Sequence, residues 1–282
     1  AHIAWALCNP GELVLVPNPG YQIFSAGPRL CDAEVWEYPL LEEHQFLPQL
    51  DEIPEEIARR ARYMVVSYPA NPICRTAPES FYRDLIAFAK KYEIIILHDN
   101  AYSDIIYDGR RGGSFLEYEG AKEVGIEFYS LSKSFNYTGA RLSFAVGNRA
   151  VIQKFKALRT QFDYGIFLPV QYGAIAALTG PDDFIEEQRQ QYEARNRALC
   201  GGLRKIGWNV PDSQGTMFVW ARIPGGRTDS MAFCMELMEK AGVIVTPGAS
   251  FGPHGEGYVR FALVLPPEKI KEAVESIRTS GI

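Results

Sequence analysis

The segment SLSKSFNYTGAR, residues 130 to 141, sets Ser130, Ser132, Lys133 and Arg141 in one turn-rich stretch directly after a short apolar run. A lysine amine is protonated near neutral pH and a poor nucleophile, so imine chemistry needs it partly buried or beside other cations that lower its pKa. Arg141, eight residues on, supplies such a cation. The two serines and Arg141 also offer hydroxyl and bidentate guanidinium donors of the kind that grip a phosphate monoester. An imine-forming lysine with a phosphate grip beside it points to pyridoxal phosphate.

Three strand-like runs each end in a reactive polar group: YMVVSYPAN at Asn71, IIILHD at Asp99 and EFYSLSK at Lys133. In open parallel sheets ligands bind outside the carboxyl ends of the strands, so the three groups are expected to meet at one crevice. Asp99 follows an apolar run, where an unpaired carboxylate is costly. A protonated pyridine nitrogen is one fitting partner, and capping the AYSDI turn is the plainer alternative. Tyr102 has a hydroxyl within reach of the same crevice, and Asn71, held extended by Pro72, has an amide free to donate. Both also have bland readings, as a packing tyrosine and an Asn-Pro turn. Tyr21, in VPNPGYQIF, is placed to stack on a flat ring. Arg260, in GYVRFAL, is flanked by strand formers and so requires an anion, either an internal carboxylate or a substrate's. Tyr164 and Phe167, in DYGIF, suit either the far end of a substrate or interface packing.

These groups need a scaffold. From residue 12 to about 148, ELVLVPNP, AEVWEYP, YMVVSYP, EIIILHD, EFYSLS and LSFAVGN read as strands alternating with amphipathic helices, the pattern of a mostly parallel α/β sheet. PESFYRDLIAFAKKYE is the clearest crossover helix, with Thr76 and Glu79 spaced as a capping box. A long helix from about Asp182 to Gly207 leads into MFVWARI, SMAFCMELMEKAG, VIVTPGAS, GYVRFALVL and a last helix from Pro267, a smaller α+β unit. The expected domains are therefore residues 1–180 and 181–282, with the opening AHIAWAL helix lying already inside the first.

The chain has 282 residues, 47 % hydrophobic and 22 % charged, enough for a substantial core. Twenty-nine basic against 34 acidic residues give a net charge of −5 with no dense basic run, which argues against nucleic acid or an anionic membrane as partner. Five scattered cysteines without a CxxC pair and four separated histidines lend no support to a metal site or disulfide framework, and a reducing cytoplasm fits best. No apolar run approaches the roughly 20 residues that span a bilayer.

Taken together, these residues resemble the class I and II aminotransferases, pyridoxal-phosphate enzymes of fold type I, over essentially the whole chain. The runs NPGELVLVPNPGYQIF and IEFYSLSKSFNYTGARLSFAVGN are most similar to LL-diaminopimelate aminotransferases. The resemblance implies that Lys133 forms the imine with the cofactor and shuttles the proton of the substrate's α-carbon. It also implies that Asp99 pairs with the pyridine nitrogen, that Asn71 and Tyr102 hold the phenolate oxygen, and that Ser130, Ser132 and Arg141 bind the phosphate. Tyr21 would stack on the ring, Arg260 with Asn71 would clamp the substrate carboxylate, and the substrates would be an amino acid and a 2-oxo acid. A homodimer with a shared site is implied too, as are a glycine-containing phosphate loop and an arm upstream of Ala1. A lyase acting on the same cofactor, or a non-catalytic sensing module, remain as rivals. The chain departs from the family pattern at Cys74 and Ser143, where glycines are usual.

Overall fold

Apolar runs that can be buried on both faces become the central strands, and those with alternating charges become edges. In the computed structural model, which describes residues 1–110 and 112–282, the strands are β1 (Leu13–Asn18), β2 (Glu34–Pro39), β3 (Ala61–Ser67), β4 (Ile95–Asp99), β5 (Gly125–Ser130) and β6 (Ser143–Gly147). They form one sheet in the order β2-β1-β3-β4-β5-β6. Every pairing is parallel except β5 with β6. β1 is buried along its length, whereas edge strands β2 and β6 are partly exposed. The chain leaves β1 toward β2 on one side and returns to β3 on the other, which makes the β1/β3 boundary a topological switch point.

Helices cover both faces. The first are α1 (His2–Leu7), α2 (Ile23–Arg29), α3 (Glu55–Arg60), α4 (Glu79–Tyr92), α5 (Ala121–Val124), α6 (Leu131–Ser134), α7 (Arg149–Arg159) and α8 (Leu168–Thr179). Met64, Val66 and Ile96 pack against Phe81, Leu85 and Ala89 of α4, while Tyr63, Val65 and Leu97 face Ala4 and Leu7 of α1 and Val151 of α7. This split follows the two-residue period of the strands. The capping box is not formed. Pro78 occupies the cap of α4, and Thr76 instead bonds the side chain of Gln214 through both its N–H (2.8 Å) and its hydroxyl (2.9 Å).

The remaining chain begins with the 23-residue helix α9 (Asp183–Lys205), which ends before Gly207 at φ +91°. A second sheet follows, built from β7 (Phe218–Arg222), β8 (Thr246–Pro247) and β9 (Tyr258–Ala262) in the order β7-β9-β8, with α10 (Ser230–Ala241) and α11 (Pro267–Ser280). VIVTPGAS yields only the two residues of β8, because the chain then turns through Gly248–Phe251. Tyr192, Leu199, Cys200 and Leu203 of α9 share a core with Ile270, Val274 and Ile277 of α11.

Behind the end of β4 lies a buried polar network. His98 and Glu127 are cross-strand partners, joined by Nδ1 to Oε2 at 3.0 Å. Glu127 also accepts from the Ser114 hydroxyl (2.9 Å) and the Phe115 N–H (2.8 Å). Burial pushes the Glu127 carboxyl up, but the hydrogen bond and charge of His98, with Ser114 and Asn100, outweigh it and hold the group below the usual carboxylate range. A carboxyl with a depressed folded pKa stabilises the fold above its unfolded value, about 4.5, and that contribution disappears as pH falls through the lower folded value. Urea titrations should therefore show stability falling below about pH 4.5, less steeply in Glu127→Gln. At neutral pH Glu127→Ala should cost about 3 kcal/mol, because buried donors lose their acceptor.

Candidate active site

The carboxyl ends of β3, β4 and β5 lie side by side, and each delivers one of the groups expected from the sequence. Asp99 closes β4, and one of its oxygens accepts from the Ala101 N–H at 3.1 Å. That is the turn-capping role, but it uses only Oδ1; Oδ2 has no partner among the described residues. Burial raises the Asp99 pKa, opposed by the Ala101 N–H, by His98 and by Lys133. Asp99 lines a cavity of about 300 Å³ whose other walls include Phe24, Val65, Leu97, Ala101, Phe128, Ser130 and Ser143.

Lys133 sits on α6, a single turn that starts where β5 ends. The Ser130 hydroxyl accepts from the Ser132 N–H at 3.2 Å and so caps the turn. The amine is half-buried and lies 5.9 Å from the centre of the Tyr102 ring. Burial lowers its pKa, Arg141 and Arg260 lower it further, and Asp99 pulls the other way. Arg141 follows a short turn, adopts left-handed φ of +55°, and donates to the Thr138 carbonyl at 2.9 Å. Ser132 is buried, Ser130 partly so and Arg141 exposed, and of these three Ser130 lines the cavity.

Arg260 lies on β9, the middle strand of the small sheet, opposite Trp220 and Thr246. Its guanidinium donates to Asn71 Oδ1 at 2.8 Å and rests 4.0 Å from the Phe218 ring and 4.7 Å from that of Phe251. No carboxylate pairs with it among the described residues, so the internal salt bridge allowed by the sequence is not made. Its Nε is buried without a partner among the described residues, and burial lowers its pKa. Tyr102 is buried edge-on to Phe218 at 6.2 Å, and burial raises its pKa. Tyr21 stands after β1, half-exposed, with an edge contact to Phe24.

Lys133, Asp99, Asn71, Tyr102, Ser130, Ser132, Arg141 and Arg260 thus gather at one end of the sheet. Tyr164 and Phe167 do not line the cavity; both are exposed. The sequence did not single out Ala101, which floors the cavity, or Phe218 and Phe251, which flank the guanidinium. Ser143 entered only as bulk, yet it pairs with Ser130 across β5 and β6 and lines the cavity. Cys74 holds φ of +57°, the left-handed backbone that favours glycine.

An acid with an unused oxygen and a hydroxyl of Ser130 on a largely apolar cavity, with Lys133 and Arg141 in electrostatic range of one another nearby, fit a flat ring that carries a basic nitrogen and a phosphate. A mostly parallel α/β sheet with this arrangement at its carboxyl end defines a pyridoxal-phosphate enzyme of fold type I. Comparison with known proteins narrows the class. Residues 1–277 match the family described as Aminotransferase class I and II. The LL-diaminopimelate aminotransferase of Halothermothrix orenii is 47 % identical over the whole chain, which covers 72 % of that protein, and that of Moorella thermoacetica is 44 % identical, with 99 % of the chain and 71 % of the relative covered. Substrate-bound BacF from Bacillus subtilis superposes with a TM-score of 0.95 at 38 % identity, covering 99 % of this chain and 71 % of that one. A probable N-succinyldiaminopimelate aminotransferase from Thermus thermophilus gives 0.93 at 32 %, covering 99 % and 74 %. The chain belongs to the class I and II aminotransferases, which use pyridoxal phosphate to move an amino group between an amino acid and a 2-oxo acid.

Arg141→Leu removes a cation that depresses Lys133. Competitive acetylation of Lys133 across a pH series should then give a midpoint displaced to higher pH; an unchanged or lower midpoint would contradict the electrostatic account.

Proposed function

We propose that this aminotransferase takes LL-diaminopimelate as amino donor and that the gathered residues hold cofactor and substrate as follows. Lys133 holds the aldehyde carbon, Asp99 the pyridine nitrogen, Asn71 and Tyr102 the phenolate oxygen, and Ser130, Ser132 and Arg141 the phosphate, with Tyr21 on the ring face. When bound, the cofactor supplies an electron sink for the charge left on the substrate's α-carbon. The observation that carries the assignment is geometric: Lys133 lies 5.9 Å from the Tyr102 ring at the strand ends that also carry Asp99, with one oxygen bonded to Ala101, and Asn71, bonded to Arg260.

Each residue has a task in this reading. The Lys133 amine, whose pKa burial and two guanidinium groups lower, takes the α-proton as a general base and returns it as a general acid. Asp99, with one oxygen tied to Ala101, keeps the other for a positively charged ring nitrogen. Arg260 takes the α-carboxylate through the donors not engaged with Asn71. Holding both ends of the substrate supplies positioning, and the low-dielectric cavity strengthens the charge interactions. The donor is suggested by the relatives at 39–47 % identity, each called an LL-diaminopimelate aminotransferase.

The same reading includes a homodimer. Leu168, Tyr172, Ile175 and Leu178 form an i, i+4, i+7, i+10 stripe along α8, and all are exposed. Exposed Phe167 and Tyr164 sit beside it, and a continuous apolar patch of this kind marks an interaction site. Division at residues 180 and 181 is supported by the core that α9, α10, α11 and the small sheet share, into which Tyr102, Ile105 and Tyr107 of the first unit also pack. A cytoplasmic location is supported by five free cysteines.

Lys133→Ala should lower turnover by about 10³-fold or more while the protein stays folded. Among a panel of amino donors offered with 2-oxoglutarate, LL-diaminopimelate should give the highest kcat/KM. Preference for an aromatic donor, or product release without a 2-oxo acid acceptor, would overturn the substrate assignment or the transfer reaction in turn. Light scattering after size exclusion should report a dimer for the wild-type chain and a monomer for Tyr172→Asp with Ile175→Asp.

A further inference from the structure

The last carbonyls of a helix have no partner within it, and in a four-residue helix that applies to every carbonyl. In α6 the Leu131 carbonyl accepts from the N–H groups of Phe135 (3.1 Å) and Tyr137 (3.3 Å), and the Ser132 carbonyl from the Thr138 hydroxyl (2.9 Å). The carbonyls of Lys133 and Ser134 are served from elsewhere. Gln188, on α9, donates its Nε2 to both, in a short bond to Lys133 and one of 3.4 Å to Ser134. Gln188 is buried, and its Oε1 has no partner among the described residues. The buried amide is thus anchored through its donor half alone.

The same helix reaches the other end of the site. One turn-pair along, at i+7, Arg195 donates to the Leu263 carbonyl at 3.0 Å, just beyond β9, the strand that carries Arg260. Residues seven apart lie on one face of a helix, roughly 10 Å apart along its axis. We propose that α9 is a spacer in which Gln188 grips the Lys133 turn and Arg195 grips the end of β9, so that the helix fixes the amine relative to the Arg260 guanidinium. Gln188 is a positioning residue, and this inference rests on the roles proposed for Lys133 and Arg260.

Gln188→Leu keeps the volume and removes both donors. With circular dichroism and melting temperature near wild type, its kcat should fall about tenfold while KM for the amino donor stays within about twofold. In the cofactor-free protein the acetylation midpoint of Lys133 should also move. Gln188→Glu keeps the shape as well, but an ionised carboxylate cannot donate to a carbonyl. Its deficit relative to wild type should shrink as pH falls and the carboxyl gains a proton, a dependence that mere filling of space does not produce. Arg195→Leu should lower kcat too, and the double variant should lose less than the product of the single losses. Wild-type kcat and acetylation midpoint in Gln188→Leu, a pH-independent deficit in Gln188→Glu, or full additivity with Arg195→Leu would each overturn the spacer. Loss of turnover in Lys133→Ala beside an unimpaired Gln188→Leu would refute the spacer alone, whereas turnover retained in Lys133→Ala would remove the reading beneath it.

Discussion

The balance of charge around one half-buried amine governs this structure. Desolvation and two guanidinium groups favour the neutral form of Lys133, and one carboxylate opposes them. None of these groups is on the same element: Lys133 rides on α6, Asp99 ends β4, Arg141 follows a separate turn and Arg260 comes from the small sheet. The balance exists only when both sheets are formed and correctly apposed.

Much of this was legible in the sequence because the informative signals were local. Apolar runs that end in Asn71, Asp99 and Lys133 announced both the strands and the side of the sheet on which the site would form. Arg260 could be flagged because a cation between strand formers needs an explanation. Residue type and position flagged the serines as phosphate donors and Tyr21 and Tyr102 as candidates beside a ring, and the resemblance implied a particular atom for each to hold. What stayed hidden depends on contacts between distant segments. Thr76 looked like a helix cap until Gln214, 138 residues away, took its hydrogen bonds. Gln188 lies in a polar, charged helical run and carries no local mark of its bonds to the Lys133 turn. Ala101, a small residue after an aspartate, gives no sign that its side chain floors a cavity. The two-residue β8 was overread because β-branched residues propose a strand that the following turn cuts short.

The superposed proteins bear different names, BacF and a probable N-succinyldiaminopimelate aminotransferase, yet they share this scaffold with TM-scores above 0.9. Groups at the ends of buried strands are held by the core, whereas whatever meets the far end of a substrate is free to vary on loops. Strand-end geometry therefore identifies the chemistry with more authority than it identifies the donor.

The setting of Arg260 has one more consequence. With Phe218 and Phe251 against it and Nε without an acceptor among the described residues, the guanidinium's remaining hydrogen-bonding capacity lies on its two terminal nitrogens, which also reach Asn71 and Thr246. A carboxylate engaged there must come in edgewise, coplanar with the fork. If the ligand's nitrogen is anchored at the Lys133 end, two of the four substituents on its stereocentre are fixed in direction, and the mirror-image molecule would have to exchange hydrogen and side chain. The hand of the ligand is then decided by which of those two remaining directions has room for a side chain.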